Sequence, residues 1–81
     1  MVNISLKDAT RTRIEIAKTG KSLREFAKNI GVSHAYLSQI LNEKRYPSPT
    51  VANKIARGLG VDLDDIFLVE VVDISNYKEA N

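Results

Sequence analysis

The sequence predicts a mainly α-helical fold of five helices, completed by a short two-stranded β-ribbon made from the chain termini. Three observations predict it: capping residues precede the helical stretches, apolar residues recur within them at helical spacing, and the spacing changes to alternation at both ends. The 81 residues are expected to form a single domain over 1–81, with a helical body at 5–67. A C-terminal strand is expected at 68–75 and a frayed tail at 76–81.

The first helix is expected to begin at Ser5, because Asp8 follows three residues later and the pair has the form of a capping box. Gly20 is expected to end this helix. Its inward side is predicted from apolar residues near helical spacing, namely Leu6, Ala9, Ile14 and Ala17.

The second and third helices have clearer boundaries. Ser22 and Glu25 form a capping box, and Gly31 supplies the positive φ of a left-handed C-terminal cap. Ser33 opens the third helix only two residues after that glycine. The residues of these two helices that are expected to be buried are Phe26, Ala27, Ile30, Leu37, Ile40 and Leu41.

Ser48 and Pro49 predict the start of a fourth helix, because proline at the first helical position loses no hydrogen bond. Gly60 ends that helix, and Asp62 opens a short fifth helix with an acidic first turn. The inner face of the fourth helix is predicted to consist of Val51, Ala52, Ile55, Ala56 and Leu59.

Beyond Phe67 the residues alternate and many are β-branched, which is typical of a strand. A ribbon of two short strands is barely stable alone, and an exposed apolar edge favours pairing with another chain. The segment is therefore expected at or near a twofold dimer interface, unless the fifth helix and the loop before it make that contact. The expected dimer residues are Leu68, Val69, Val71, Val72 and Ile74.

Charge divides the chain into two parts. Residues 1–61 carry eleven lysines and arginines against four acidic residues, a balance of +7, whereas residues 62–81 have a balance of −5. A positive body indicates a polyanionic partner, and the acidic end is expected to face away from it.

Several classes of protein are excluded by composition. The sequence has no cysteine and one histidine, His34, so disulfides and thiolate metal sites are excluded and no metal site or cofactor is expected. No nucleophile–base pair or phosphate-binding loop is present, so an enzyme is not expected. No apolar run approaches the roughly 20 residues of a membrane span, so a cytoplasmic protein is expected.

The second and third helices, joined by Gly31 and Val32, have the layout of a helix-turn-helix. A major groove about 12 Å wide admits one helix, and small outward side chains such as Ala35 and Ser38 let it come close. Gln39 can make a bidentate contact with adenine, and His34 can donate or accept at a base or a phosphate. The side of the third helix expected to be exposed carries His34, Ala35, Ser38, Gln39 and Asn42.

Residues 22–68 resemble the Cro/C1-type helix-turn-helix family, also called the lambda-repressor-like or XRE type. The residues that carry the resemblance are Phe26-Ala27, Ile30-Gly31-Val32-Ser33, Tyr36-Leu37-Ser38-Gln39-Ile40, Asn42, Lys44-Arg45, Pro47-Ser48, Ile55-Ala56, Leu59-Gly60-Val61 and Leu63-Asp64-Asp65-Ile66-Phe67. The resemblance implies a five-helix domain that binds double-stranded DNA, commonly as a homodimer on palindromic operators.

The resemblance also assigns roles to residues of this sequence. The positions that match base-reading positions are His34, Ala35, Ser38 and Gln39. The positions expected to bind phosphates are Ser22, Arg24, Ser33, Tyr36, Asn42, Lys44 and Arg45. The chain departs from the family pattern at Leu23, where glutamine is usual and where Arg24 or Ser22 would substitute for it. A second departure is Glu43, where glycine is frequent.

Two functions remain open from the sequence. The first is a sequence-specific transcriptional regulator, a Cro/C1-type repressor of a prokaryote, phage or mobile element, that blocks its operator as a dimer. The alternative is an antitoxin that binds a toxin through residues 68–75 and regulates its own operon.

Overall fold

The computed structural model describes residues 2–71, which form five α-helices and a two-stranded antiparallel sheet. The predicted fold class is therefore confirmed. In chain order the elements are β1 Val2–Leu6, α1 Ala9–Lys18, α2 Leu23–Ile30, α3 His34–Leu41, α4 Pro49–Leu59, α5 Leu63–Ile66 and β2 Phe67–Val71. The predicted frayed tail at 76–81 lies outside the described residues.

Every described element contributes to one apolar core. Burying a side chain the size of leucine, isoleucine or phenylalanine stabilises the fold by about 1.5–3 kcal/mol, and the largest such groups here are almost fully enclosed. The apolar core consists of Ile4, Ile16, Phe26, Ala27, Leu37, Ile40, Leu41, Val51, Ala52, Ile55, Ala56, Ile66 and Phe67. Because α3 supplies three of these residues, its inner side is held firmly against the body.

The serine caps predicted from the sequence are confirmed at three helices. The hydroxyl oxygens of Ser22, Ser33 and Ser48 accept hydrogen bonds from backbone N–H groups three residues later, at 3.1, 3.1 and 3.2 Å. Glu25 also accepts from the Ser22 N–H at 2.9 Å, which completes the capping box. These local contacts fix where α2, α3 and α4 begin.

The predicted start of the first helix at Ser5 is wrong. Ser5 lies in β1 and pairs with Leu68 of β2. The helix begins at Ala9, with Asp8 as the N-cap whose carboxylate accepts from the Arg11 N–H at 3.0 Å. Pairing with a strand more than sixty residues away overrides the local capping signal at Ser5.

The predicted inward face of α1 is also wrong in part. Ile14 and Ala17 are exposed, whereas Ile16 and Thr12 are buried. A buried threonine is tolerated because its hydroxyl donates to the Asp8 carbonyl at 3.0 Å. Because α1 begins later than expected and one of its buried residues is polar, the spacing of apolar residues alone does not identify its buried side.

The two strands form the predicted antiparallel ribbon. Leu6 pairs with Phe67 at the inner end, and Val2 pairs with Val71 at the outer end. Ile4 and Phe67 are buried against the helices, whereas the outer pair is exposed. Because alternate residues share one face of a strand, one apolar face runs from the core to the free end of the ribbon.

Candidate nucleic-acid interface

A tight turn joins α2 to α3. Gly31 adopts φ 81°, its N–H donates to the Lys28 carbonyl at 3.2 Å, and the Val32 N–H donates to the Ala27 carbonyl at 3.0 Å. This left-handed cap strongly favours glycine, because positive φ is strained in a residue that has a Cβ. With Leu37 fully buried on its inner side, α3 presents the opposite side to solvent.

That outer side of α3 carries the four residues predicted to read bases. Ala35 and Gln39 are exposed, and His34 and Ser38 are half-buried. The four side chains lie on two successive turns of one helix. A methyl, a hydroxyl, an amide and an imidazole are short enough to let the helix approach base edges, and they offer both donors and acceptors.

Arg45 lies against this surface and does not extend away from it. Its guanidinium carbon is 4.5 Å from the centroid of the Tyr36 ring, which is a cation–π contact. Its Nη1 also donates a long hydrogen bond of 3.5 Å to Gln39 Oε1. A cation predicted to bind phosphate is thus placed beside a residue predicted to read bases.

Asn42, also predicted to bind phosphate, is engaged by a residue that the sequence analysis did not identify. Arg13 of α1 donates from Nη2 to Asn42 Oδ1 at 2.7 Å, and Asn42 Nδ2 donates to Ser38 Oγ at 3.4 Å. No sequence signal points to Arg13, because it precedes Asn42 by 29 residues and lies on another helix. Through Arg13, α1 therefore contacts the candidate interface.

The remaining predicted phosphate ligands flank the two helices. Ser22 and Ser33 are the N-caps of α2 and α3, where the helix dipole and unpaired N–H groups favour an anion. Arg24 is exposed in the first turn of α2, and Lys44 is exposed just beyond α3. Positive charge is therefore exposed at the start of α2 and just beyond the end of α3.

The capping box of α2 perturbs one carboxyl group. The backbone N–H of Ser22 donates to Glu25, and this bond holds the pKa of the Glu25 carboxyl below its usual value. A hydrogen bond with the Ser22 hydroxyl lowers the pKa of the same group further, partial desolvation opposes this, and the positive charge of Lys21 adds the smallest lowering effect. Glu25 is therefore a carboxylate at neutral pH and serves as a cap.

The two departures from the family pattern have structural explanations. Leu23 is half-buried and packs against the core, so it contributes to stability from the start of α2. Glu43 is exposed and has φ 58°, the left-handed conformation that glycine adopts most easily.

The residues predicted to form the dimer contact are described only in part. Leu68, Val69 and Val71 are exposed on β2, whereas Val72 and Ile74 lie outside the described residues.

In residues 2–71, no group of three His, Asp or Glu side chains is arranged to hold a metal ion. Within the same range, no helix has the length and apolar character needed to cross a membrane.

Comparison with known proteins agrees with this geometry. The chain matches the Helix-turn-helix family over residues 13–66, which include α2, the turn and α3. A relative from Bacillus subtilis (strain 168), named "Uncharacterized HTH-type transcriptional regulator YvzC", is 39% identical over 54 residues, which are 67% of this chain and 70% of the relative. No solved structure matches the chain. The family match spans most of the chain and coincides with the turn, the caps and the exposed α3 surface, and the chain therefore belongs to the Cro/C1-type (XRE) helix-turn-helix family of DNA-binding domains.

Proposed function

We propose that this protein is a transcriptional repressor of the Cro/C1 type that binds a palindromic operator as a homodimer. The observation that carries the proposal is the outer side of α3, where small and polar side chains lie beside the cationic Arg45. The name of the Bacillus relative, which describes a transcriptional regulator, supports the same class of function.

In this proposal α3 enters the major groove and reads bases. Ala35 and Ser38 let the helix approach closely, and Gln39 contacts a base edge with its amide. His34, at the first position of the helix, contacts a base or a neighbouring phosphate. Sequence preference follows from these contacts because each base pair presents a different pattern of donors and acceptors in that groove.

Phosphate contacts supply most of the affinity. Arg24 is exposed in the first turn of α2 and Lys44 just beyond the end of α3, and the first turns that follow the caps Ser22 and Ser33 add backbone N–H donors. Each phosphate neutralised by a lysine or arginine releases counterions, so binding weakens as salt rises. These contacts position the protein on DNA without selecting a sequence.

The ribbon is the proposed dimer contact. Val2, Val69 and Val71 share one face of the ribbon and have 50, 41 and 75% of their surfaces exposed. Pairing this face with a second copy would remove apolar surface from water and place two copies of α3 about 34 Å apart, one turn of DNA. The bound dimer would then repress by blocking access of the polymerase.

Titration over salt tests the DNA-binding proposal. Lys44→Ala should weaken binding to operator and random duplexes alike, and should reduce the slope of log affinity against log salt by about one unit. The matched control is Arg57→Ala, which removes a charge from the last turn of α4, close in sequence to the acidic start of α5. An unchanged slope in Lys44→Ala, or an equal change in both variants, would contradict the assignment.

Sedimentation equilibrium tests the dimer. Val71→Lys puts a charge on an exposed position, so the fold should survive while the dimer and operator affinity are lost. A variant that still dimerises and binds its operator fully would overturn the ribbon contact. Recovery of the wild type in a stable complex with a different small protein would instead support the antitoxin alternative.

A further inference from the structure

We propose that Arg13 is a positioning residue of the DNA-reading surface, acting through Asn42 on Ser38. The proposal rests on the function proposed above and names a group outside the helix-turn-helix that sets the specificity of that same site. In it, Arg13 fixes the orientation of the Asn42 amide, and the amide holds the Ser38 hydroxyl ready to donate to an acceptor atom on a base.

The first step is the contact between α1 and the end of α3. The Arg13 guanidinium donates to Asn42 Oδ1 at 2.7 Å, a short distance typical of a charge-assisted hydrogen bond. Asn42 is the C-cap residue of α3, so the bond joins α1 to the helix that carries the base-facing side chains. Arg13 is therefore linked to the candidate interface without itself lying on α3.

The second step concerns the direction of hydrogen bonding. A primary amide has one acceptor oxygen and one donor nitrogen, and Arg13 has only donors to offer. The Asn42 oxygen must therefore face Arg13, which leaves the amide nitrogen to face Ser38. The Asn42 nitrogen donates to Ser38 Oγ at 3.4 Å.

The third step concerns the ligand of Ser38. A hydroxyl that accepts a hydrogen bond at its oxygen still has its own proton to donate. In the major groove the matching acceptors are purine N7, guanine O6 and thymine O4, of which N7 is common to both purines. We assign purine N7 as the partner, because a hydroxyl that makes a single contact meets this acceptor on either purine.

Affinity measurements on operator and random duplexes test the role of Arg13. Arg13→Ala should lower operator affinity about 3–10-fold more than it lowers affinity for random DNA, in the range expected for the loss of one hydrogen bond between neutral groups. Arg11→Ala is the matched control, since it removes an exposed arginine from the same helix and should lower both affinities equally. Arg13→Lys should recover part of the discrimination because an ammonium can also donate to Asn42.

A double variant separates positioning from direct contact. If Arg13 acts through Asn42, then Arg13→Ala should cause no further loss of discrimination in an Asn42→Ala background. An equal loss on both duplexes with a smaller salt slope would identify Arg13 as a phosphate ligand and overturn the proposal. Melting curves of all variants identify any loss that arises from unfolding.

Modified operators test the acceptor. Replacing one purine of each half-site in turn by its 7-deaza analogue should reveal one position at which wild-type binding weakens several-fold and Ser38→Ala binding does not change. The absence of such a position would overturn the assignment to N7. A wild-type chain that binds no duplex at all would refute the proposed function itself, a result distinct from normal binding with an inert Arg13.

Discussion

The guanidinium carbon of Arg45 lies 4.5 Å from the centroid of the Tyr36 ring, so an aromatic side chain of α3 holds a cation of the following loop. Arg45 also approaches the Gln39 amide. The ring therefore limits the positions available to the guanidinium and keeps its donors beside the surface of α3 that is proposed to face DNA.

This relationship predicts the behaviour of two variants of Tyr36. Tyr36→Leu should weaken operator binding about 2–5-fold, because an exposed cation–π contact contributes roughly 0.5–1 kcal/mol. Tyr36→Phe keeps the ring and should retain the part of the affinity that depends on Arg45. If Tyr36→Leu loses no more affinity in a wild-type background than in an Arg45→Ala background, the two residues do not act together.

Glu43 is predicted to lower both stability and DNA affinity. Its N–H donates to the Ile40 carbonyl at 3.0 Å and the Lys44 N–H donates to the Gln39 carbonyl at 2.9 Å, as at the glycine-capped ends of α2 and α4. Left-handed backbone costs a residue with a Cβ roughly 1 kcal/mol or more, partly offset by the greater freedom of unfolded glycine. Glu43→Gly should therefore raise the free energy of unfolding by about 0.5–1 kcal/mol in thermal denaturation.

The same substitution should tighten DNA binding, because it removes a carboxylate next to Lys44 and Arg45. Glu43→Gln separates the two effects, since it removes the charge and keeps the side chain. It should tighten binding at low salt without raising the melting temperature. A Glu43→Gly protein that melts below the wild type would contradict the conformational explanation.

Gly58 is predicted to be required for the packing of α4 on α2. A Cβ at this position would lie 2.7 Å from Ile30 Cγ2 and 2.9 Å from Phe26 Cζ. Such overpacking costs about 1–3 kcal/mol, more than the roughly 1 kcal/mol that alanine gains over glycine in a helix. Gly58→Ala should therefore lower the melting temperature, whereas Asn53→Ala, at an exposed position of α4, should not. A Gly58→Ala protein more stable than the wild type would contradict this prediction, because it would show that α2 and α4 can move apart at little cost to accept the Cβ.

Glu25 is predicted to make stability depend on acid. Because the pKa of its carboxyl is lower in the folded protein than in the unfolded chain, the carboxylate stabilises the fold above the unfolded pKa. This contribution is lost as the pH falls through the lowered pKa of the folded state. Glu25→Gln should therefore melt below the wild type at pH 7, and the difference should shrink in acid. A difference that stays constant with pH would refute the charge-dependent cap.

Local signals in the sequence predicted much of the fold. The caps at Ser22, Ser33 and Ser48 and the left-handed turn at Gly31 depend on neighbouring residues only, so the sequence around them is sufficient. The start of α1 at Ala9 does not follow from the local sequence, because Ser5 pairs with a distant strand and a capping pattern carries no information about that pairing.

The positions of the candidate site residues along the chain follow from the sequence, but the contacts among their side chains do not. The positions on α3 proposed to face bases follow from helical spacing, since the residues that remain exposed are those opposite the core. The contact of Arg13 with Asn42 and the placement of Arg45 on Tyr36 depend on how side chains from separate segments meet. The need for glycine at position 58 has the same origin, because Phe26 and Ile30 belong to another helix.

The most direct test of α3 as the recognition helix is selection of bound duplexes from a random pool, performed in parallel with the wild type and with Gln39→Ala. The wild type should enrich a palindrome whose half-sites lie about 10 base pairs apart, centre to centre. Gln39→Ala should keep that spacing, lose the preference at one base of each half-site, and bind the wild-type operator about 1–3 kcal/mol more weakly per contact. An identical motif from both proteins, or no motif from the wild type, would contradict the account.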